Sequence, residues 1–330
     1  MTTQFSERED EKLDIALRPK KWAEFIGQER VKENFKIAIE AAKKRGEVLE
    51  HILLSGPAGL GKTTLAHLVS YEMQSELKIT SGPAIERVSD LAAVLTNLNP
   101  GEILFIDEVH RLPRAVEEIL YPAMESRRVD IIVGKGLSSR TIHIDLNPFT
   151  LVAATAREGM LSWPFRSRFG TLFTLEFYSD PDIENILERS SKILKIESEP
   201  QAIKELAKAS RCTPRVANRL LKRVRDYAQV RGNGILTLTA VKEALKLLDI
   251  DAAGLEPMDR KILQTIISTF SGGPVGLQAI AAATLQEEET IEEIYEPYLL
   301  RIGFIERTPR GRTATNRAYQ HLEDLEDKAV

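Results

Sequence analysis

Gly56-Pro-Ala-Gly-Leu-Gly61-Lys62-Thr63 fits the pattern G-x-x-x-x-G-K-[ST], a set of residue types suited to holding a phosphate. Glycines let backbone N–H groups curl around an anion, and the N-terminus of a following helix adds positive potential. Lys62 would reach the terminal phosphates, and the Thr63 hydroxyl would ligate magnesium. Gly59, Gly61, Lys62, Thr63 and Thr64 are the expected nucleotide contacts. The flanks give the pattern its meaning. His51 to Val69 reads as a short buried strand, a glycine-rich turn and a helix opening at or just before Lys62, the order the chemistry requires.

A second apolar run, Ile103 to Ile106, ends in Asp107-Glu108. It delivers two carboxylates to the C-terminal edge of a strand, where ligands sit in open α/β sheets. Asp107 is placed to hold magnesium through water, and Glu108 to orient and deprotonate an attacking water. Acids at a strand end also occur as solvated turns, but the phosphate loop upstream favours the catalytic reading. Further on, Trp163-Pro-Phe-Arg166-Ser-Arg168-Phe-Gly170 sets two guanidinium groups two positions apart. A charge there could serve a phosphate bound by a neighbouring subunit, and an ordinary surface ion pair fits the spacing equally well.

Two basic stretches follow. Arg211 to Arg231 holds seven Lys or Arg against one acid, Asp226, which reads mainly as a solvated face. Arg215, directly after Pro214 at a helix start, is best placed to point back at a nucleotide. Near the C-terminus, Glu287 to Glu296 carries six glutamates, with Thr290 and Glu293 spaced as a capping box. Phosphates would repel that helix. Arg301, Arg307, Arg310, Arg312 and Arg317 then face only Glu306, and the turn Thr308-Pro-Arg-Gly-Arg312 would project two arginines. If this unit binds DNA, it does so through that turn, against the backbone or minor groove, with Arg307, Arg310 and Arg312 as contacts. A protein-binding turn is the alternative.

The elements that must position these groups come in three blocks. Apolar residues at helical spacing from Gln28 to Arg45 predict a helix, and short apolar runs alternating with helices predict a parallel sheet covered on both faces. A third such run, Thr150 to Thr155, ends in Ala156-Arg157. Val129 to Val133 and Thr141 to Asp145 alternate about a Gly134-Lys-Gly136 turn region, as a protruding hairpin would. At Ser179-Asp180-Pro181-Asp182 the pattern turns helical, with helices expected over 182–195, 200–210, 214–230 and 239–248. From about Pro257, three short helices, then Gly303 to Arg307, a Pro309-Arg-Gly311 turn and a short return segment that completes a two-stranded wing give the winged helix-turn-helix order. The expected division is an α/β P-loop domain over 1–178, an all-α domain over 179–253 and a winged-helix domain over 254–330.

Composition agrees. The 330 residues are 43% apolar and 28% charged, an ordinary globular balance at a length that favours two or three domains. A net charge of −4 argues against a uniformly basic coat that would bind nucleic acid nonspecifically. No run approaches the roughly 18 to 20 apolar residues of a membrane-spanning helix, and the polar, acidic start is unlike a secretion signal. The one cysteine, Cys212, fits a reducing compartment, so the expectation is a soluble cytoplasmic protein.

These strings resemble the AAA+ ATPases and, within them, the RuvB family of Holliday junction motors. The likeness runs nearly end to end. Beyond the phosphate loop and acid pair it rests on Arg18-Pro-Lys, Ile26-Gly-Gln28, Thr80-Ser-Gly-Pro83, Asp90-Leu-Ala-Ala93, Leu104 to Leu112, Leu120 to Glu125, Arg166-Ser-Arg-Phe-Gly170, Thr213 to Arg219, Gly272 to Leu277 and Arg307 to Arg312. The resemblance implies an AAA+ core with a helical lid and a C-terminal winged helix. It also implies ATP and Mg2+ as cofactors, homo-hexameric rings around the duplex arms of four-way junctions, and RuvA and the resolvase RuvC as partners.

By the same likeness Arg168 is the finger reaching the next subunit's ATP, Arg215 the second sensor and Thr155 the first. Leu17, Arg18 and Tyr178 lie around the nucleotide, and Ile142 and Ile144 grip RuvA. Ala58, Ala156, Cys212 and Trp163 depart from the family's usual residues; none of the first three removes a catalytic group. An initiator or clamp-loader-like nucleotide switch shares every phosphate motif and stays open, and a protein unfoldase has no evident use for the winged unit.

Overall fold

The computed structural model of the chain describes residues 13, 15–133 and 140–327. They form two compact units, one of Arg18–Gly56 with Leu60–Glu176, the other holding Leu17, Pro57–Gly59 and the chain from Phe177.

The first unit is built on helix α1 (Glu29–Arg45), β1 (Ile52–Ser55), α2 (Lys62–Met73), β2 (Leu77–Ser81), α3 (Val88–Thr96), β3 (Ile103–Asp107) and α4 (Arg114–Ser126). A hairpin of β4 (Arg128–Val133) and β5 (Arg140–Asp145) follows, then β6 (Thr150–Thr155), the single turn α5 (Trp163–Arg166) and β7 (Thr171–Thr174). Five strands make one parallel sheet in the order β2-β3-β6-β1-β7. The central strands β1 and β6 are buried at every position and β3 at all but Asp107, as sheets covered on both faces require. The outer strands β2 and β7 keep exposed positions, so their sequences lack the continuous apolar run that marks the inner three. A large apolar cluster, including Leu53, Leu104, Ile106, Leu120, Phe149 and Phe165, fills one side of the unit. In the hairpin Val129 lies opposite Ile144 and Ile131 opposite Ile142; the Gly134-Lys-Gly136 turn lies outside the described residues.

The second unit opens with four helices: α6 (Asp180–Leu194), α7 (Pro200–Lys208), α8 (Pro214–Arg231) and α9 (Leu238–Leu247). Ser179 caps α6 by accepting the Asp182 amide, Thr213 caps α8 and Thr237 caps α9 in the same way. Pro181 falls at the second helical position of α6, after Asp180. Next come α10 (Pro257–Gln264), continued by a π turn at Thr265–Thr269, and α11 (Leu277–Thr284). The third helical run is α12 (Glu288–Thr290), a π turn at Ile291–Tyr295 and α13 (Glu296–Arg301), followed by the antiparallel pair β8 (Ile305–Thr308) and β9 (Gly311–Ala314).

One expectation is corrected here. The run opens at Glu288, with Thr290 already helical and making no cap bond, so the Thr290–Glu293 capping box does not form; two glutamates in the first turn suit the positive helix end and start it earlier. After β9 comes a helix the sequence did not announce, α14 (Asn316–Asp327). Among its described side chains the buried stripe is Ala318 and Leu322, with Leu325 partly buried, too thin to stand out in the sequence.

Candidate nucleotide site and winged-helix surface

Register explains why distant residues meet. Ser55 of β1 pairs with Thr155 of β6, and Ile106 of β3 pairs with Ala153 of β6. The loop after β1, the Thr155 end of β6 and the Asp107 end of β3 therefore leave three adjacent strands at the same sheet edge. Neighbouring strands lie about 4.8 Å apart, which puts β1 and β3 about 10 Å from one another.

Gly61 (φ 101°) caps α2 without a side chain, leaving the first-turn amides of a twelve-residue helix behind the loop. Lys62 is buried, and its Nζ donates to the Gly56 carbonyl at 2.7 Å, folding the ammonium back across the loop. Thr63 and Thr64 follow, both half-buried. Asp107 Oδ1 accepts the Glu108 amide at 2.9 Å. That bond bends the chain into a left-handed turn at Glu108 (φ 48°, ψ 44°), whose carboxylate accepts from Arg111 at 3.3 Å. Thr155 is fully buried; its Oγ1 accepts the Arg157 amide at 2.9 Å and lies 3.0 Å from His110 Nδ1.

Two residues of this edge escaped sequence reasoning. His110 ties the strand end at Thr155 to the turn that carries Glu108, and Gly82, after β2, lies against the Glu108 carbonyl. Each occurs inside a family-like string, but only three-dimensional contact shows what it touches.

Arg18 hydrogen-bonds to His67 on α2. Burial, and then the charge of Arg18, hold the imidazole below its ordinary pKa. Arg168 is half-buried, with its guanidinium 4.4 Å from the Tyr121 ring centroid and Nε 3.2 Å from Glu125, while Arg166 pairs with Glu158 at 3.5 Å. Trp163 is 73% exposed. On the hairpin, Ile142 is exposed and Ile144 half-buried.

In the second unit the Arg215 amide donates to the Gly59 carbonyl at 3.4 Å. Gly59 takes φ +83°, and a β-carbon there would stand 3.1 Å from Arg215 Cβ, so glycine is what lets the two backbones approach. Leu17 is buried, its carbonyl accepting from Arg189 at 2.8 Å. Tyr178 is also buried, and its amide donates to the Cys212 carbonyl at 3.0 Å.

The arginines of the C-terminal turn divide. Glu296, at 1% exposure, accepts from Arg307 Nε at 2.6 Å and from Arg312 through Nε and Nη2, each at 3.0 Å. Arg307 also reaches Glu292 at 3.6 Å. The expectation that the turn projects two arginines is corrected: Arg312 turns inward at 17% side-chain exposure, Arg310 at the tip is exposed, and Arg307 is half committed. The glutamate-rich helix organises these arginines instead of merely opposing them.

The geometry agrees with what the chain is similar to. A family model described as the Holliday junction DNA helicase RuvB P-loop domain matches residues 17–175, one described as the RuvB AAA lid domain matches 178–251, and the RuvB C-terminal winged helix domain matches 252–323. A Holliday junction branch migration complex subunit RuvB from Dehalococcoides mccartyi (strain CBDB1) is 57% identical over 314 residues, 95% of this chain and 90% of that protein. The chain belongs to the RuvB family. Solved RuvB structures agree in fold. Thermotoga maritima RuvB, described as a Holliday junction branch migration motor, superposes with a TM-score of 0.86 at 50% identity, over 93% of this chain and 98% of that one. A point mutant of the same protein gives a TM-score of 0.88 at the same identity and coverage. As a RuvB-family member the chain is a P-loop ATPase that binds nucleotide. Its donor set suits the ligand: an ammonium and helix-terminal amides for phosphate, hydroxyl and carboxylate oxygens for a hard divalent ion.

Proposed function

We propose that this chain is an ATP-driven DNA motor that promotes branch migration of Holliday junctions in recombination and repair. It works as a homo-hexamer on the duplex arms, with RuvA and the resolvase RuvC as partners, in the cytoplasm. The observation that carries this reading is one chain joining a hydrolytic strand edge, with the phosphate loop, Thr155 and Asp107 on adjacent strands, to a winged helix whose turn exposes Arg310.

The parts take the roles the sequence suggests. Lys62 and the amides after Gly61 would hold the phosphates; Thr63 and Asp107 would hold Mg2+, which would supply charge neutralisation when bound. Glu108 accepts the proton of the attacking water, and Thr155, with His110 behind it, fixes the strand end beside that turn. Leu17, Arg18 and Tyr178 enclose the nucleotide, Arg215 senses it from the lid, and Arg168 leaves Tyr121 and Glu125 to reach the neighbouring subunit's phosphates. Ile142 and Ile144 present the apolar grip for RuvA. Arg310 contacts the DNA backbone, with Arg307 in support. The working division is 1–178, 179–253 and 254–330.

Multiple-turnover ATP hydrolysis tests the reading. A motor sustains turnover that duplex DNA accelerates. A single burst followed by a stable DNA-bound state indicates the initiator or clamp-loader type of switch.

A further inference from the structure

Asp259, at the start of α10, is fully buried, and Arg211 meets it with both arms of its guanidinium, Nη1 to Oδ2 at 3.0 Å and Nη2 to Oδ1 at 3.1 Å. The same Nη2 donates to the Ile294 carbonyl at 3.1 Å, and the guanidinium lies 4.8 Å from the Tyr298 ring centroid. One side chain from the loop before α8 thus touches three separate places in the winged-helix core. Asp259 Oδ2 in turn accepts the Glu256 amide, so the acid that holds Arg211 also sets the first turn of α10. A buried ion pair is a poor source of stability, because both charges lose their water. What a planar fork on a carboxylate provides is a fixed direction.

The residues after Arg211 lead straight to the nucleotide loop. Arg211 (φ 52°) and Cys212 (φ 54°) are both left-handed, which turns the chain sharply. The Cys212 carbonyl accepts the Tyr178 amide, Thr213 caps α8, and the Arg215 amide donates to Gly59 of the phosphate loop. Five residues therefore join a clamp on the winged helix to a contact with the loop that holds phosphate. The segment is pinned at both ends and in the middle, with little slack to absorb a displacement.

We propose that Arg211 is a positioning residue of the motor, clamping the start of α10 to the segment that carries Arg215, so that a nucleotide-dependent shift at Gly59 and Arg215 reaches the DNA-binding unit as a rigid movement. The inference rests on the reading of Arg215 as a nucleotide sensor and of the winged helix as a DNA contact.

The test uses the full chain. Duplex DNA affinity is measured by fluorescence anisotropy with ADP and with a slowly hydrolysed ATP analogue, beside kcat and KM for ATP with and without DNA. Arg211→Lys keeps the charge but cannot make the fork and the Ile294 bond together. KM for ATP stays within about twofold of the parent, while the ratio of DNA affinities in the two nucleotide states falls to within about twofold of unity and DNA acceleration of turnover drops at least about fivefold.

Partial unfolding alone would lower every activity with the folded fraction and leave that ratio unchanged. Should Arg211→Lys not fold, Asp259→Asn, which keeps the shape and removes the charge, reads the same ratio. An undiminished ratio in a folded variant overturns the clamp alone. A parent chain whose DNA affinity ignores the nucleotide overturns the clamp together with the motor reading.

Discussion

Gly82 and Glu108 share a space that admits no side chain: a β-carbon built on Gly82 would stand 2.3 Å from the Glu108 carbonyl oxygen and 3.3 Å from the Leu112 amide. The turn that aims the Glu108 carboxylate is therefore seated against bare backbone at the end of β2. Its geometry is held from the other side by the Asp107 carboxylate on the Glu108 amide and by the pairing of His110 with Thr155.

Gly82→Ala consequently displaces the turn without touching the phosphate loop. Steady-state kinetics should show kcat for ATP reduced about 10- to 100-fold, the scale of a misplaced catalytic group, with KM within a few-fold of the parent. An unchanged kcat would mean that the turn adjusts freely and that Gly82 does not position Glu108.

Arg168 rests on Tyr121 and Glu125, and in the proposed hexamer it acts on the ATP of a neighbouring subunit. Arg168→Ala and Lys62→Ala should each abolish turnover alone. Mixed, they should recover part of it, because a mixed ring contains interfaces where an intact loop faces an intact finger. Absence of recovery at every mixing ratio would count against a finger acting in trans.

The C-terminal turn should separate recognition from architecture. Arg310→Ala should weaken duplex binding, lower the slope of log affinity against log salt by about one, and leave the melting temperature unchanged. Arg312→Ala removes the two-armed partner of a buried carboxylate and should destabilise the protein by about 2 to 4 kcal/mol in denaturant titration. Equal effects of the two variants on stability would contradict the division.

Glu296 gives a pH signature. Burial pushes its carboxyl upward, but the hydrogen bonds from Arg307 and Arg312 outweigh it and leave the group below the ordinary value of 4.5. A depressed acid contributes its stabilisation above 4.5 and loses it as pH falls through the lower folded value. Glu296→Gln should therefore cost about 2 to 4 kcal/mol at neutral pH and progressively less on acidification. A cost independent of pH between 7 and about 3 would show that charge pairing is not what holds the two arginines.

Much of this was legible in the residues. The inner strands announce themselves because burial on both faces demands continuous apolar runs, and the phosphate loop because its glycines and lysine sit between strand and helix. Of the four helices after Ser179, three start at a capping Ser or Thr and three carry a proline at the start. Edge strands β2 and β7 and helices α3 and α4 did not stand out. The strands keep exposed positions, and α14 rests on Ala318 and Leu322. The site was legible in its acids, lysine and arginines, whose types declare their chemistry. Relations made by contact were not: Gly82 under Glu108, His110 behind Thr155, and Glu296 drawing Arg312 inward from a turn that reads as projecting it.

The central claim is that hydrolysis at Glu108 moves junction DNA. Its most direct measurement is strand separation of a labelled synthetic four-way junction with ATP, magnesium and purified RuvA, against a linear duplex control and the Glu108→Gln variant. Junction dissociation should require ATP and RuvA and spare the duplex, and the Glu108→Gln chain should bind ATP yet move nothing. ATP turnover without junction movement, where RuvA demonstrably occupies the junction, would contradict it, as would a Glu108→Gln chain that still drives dissociation.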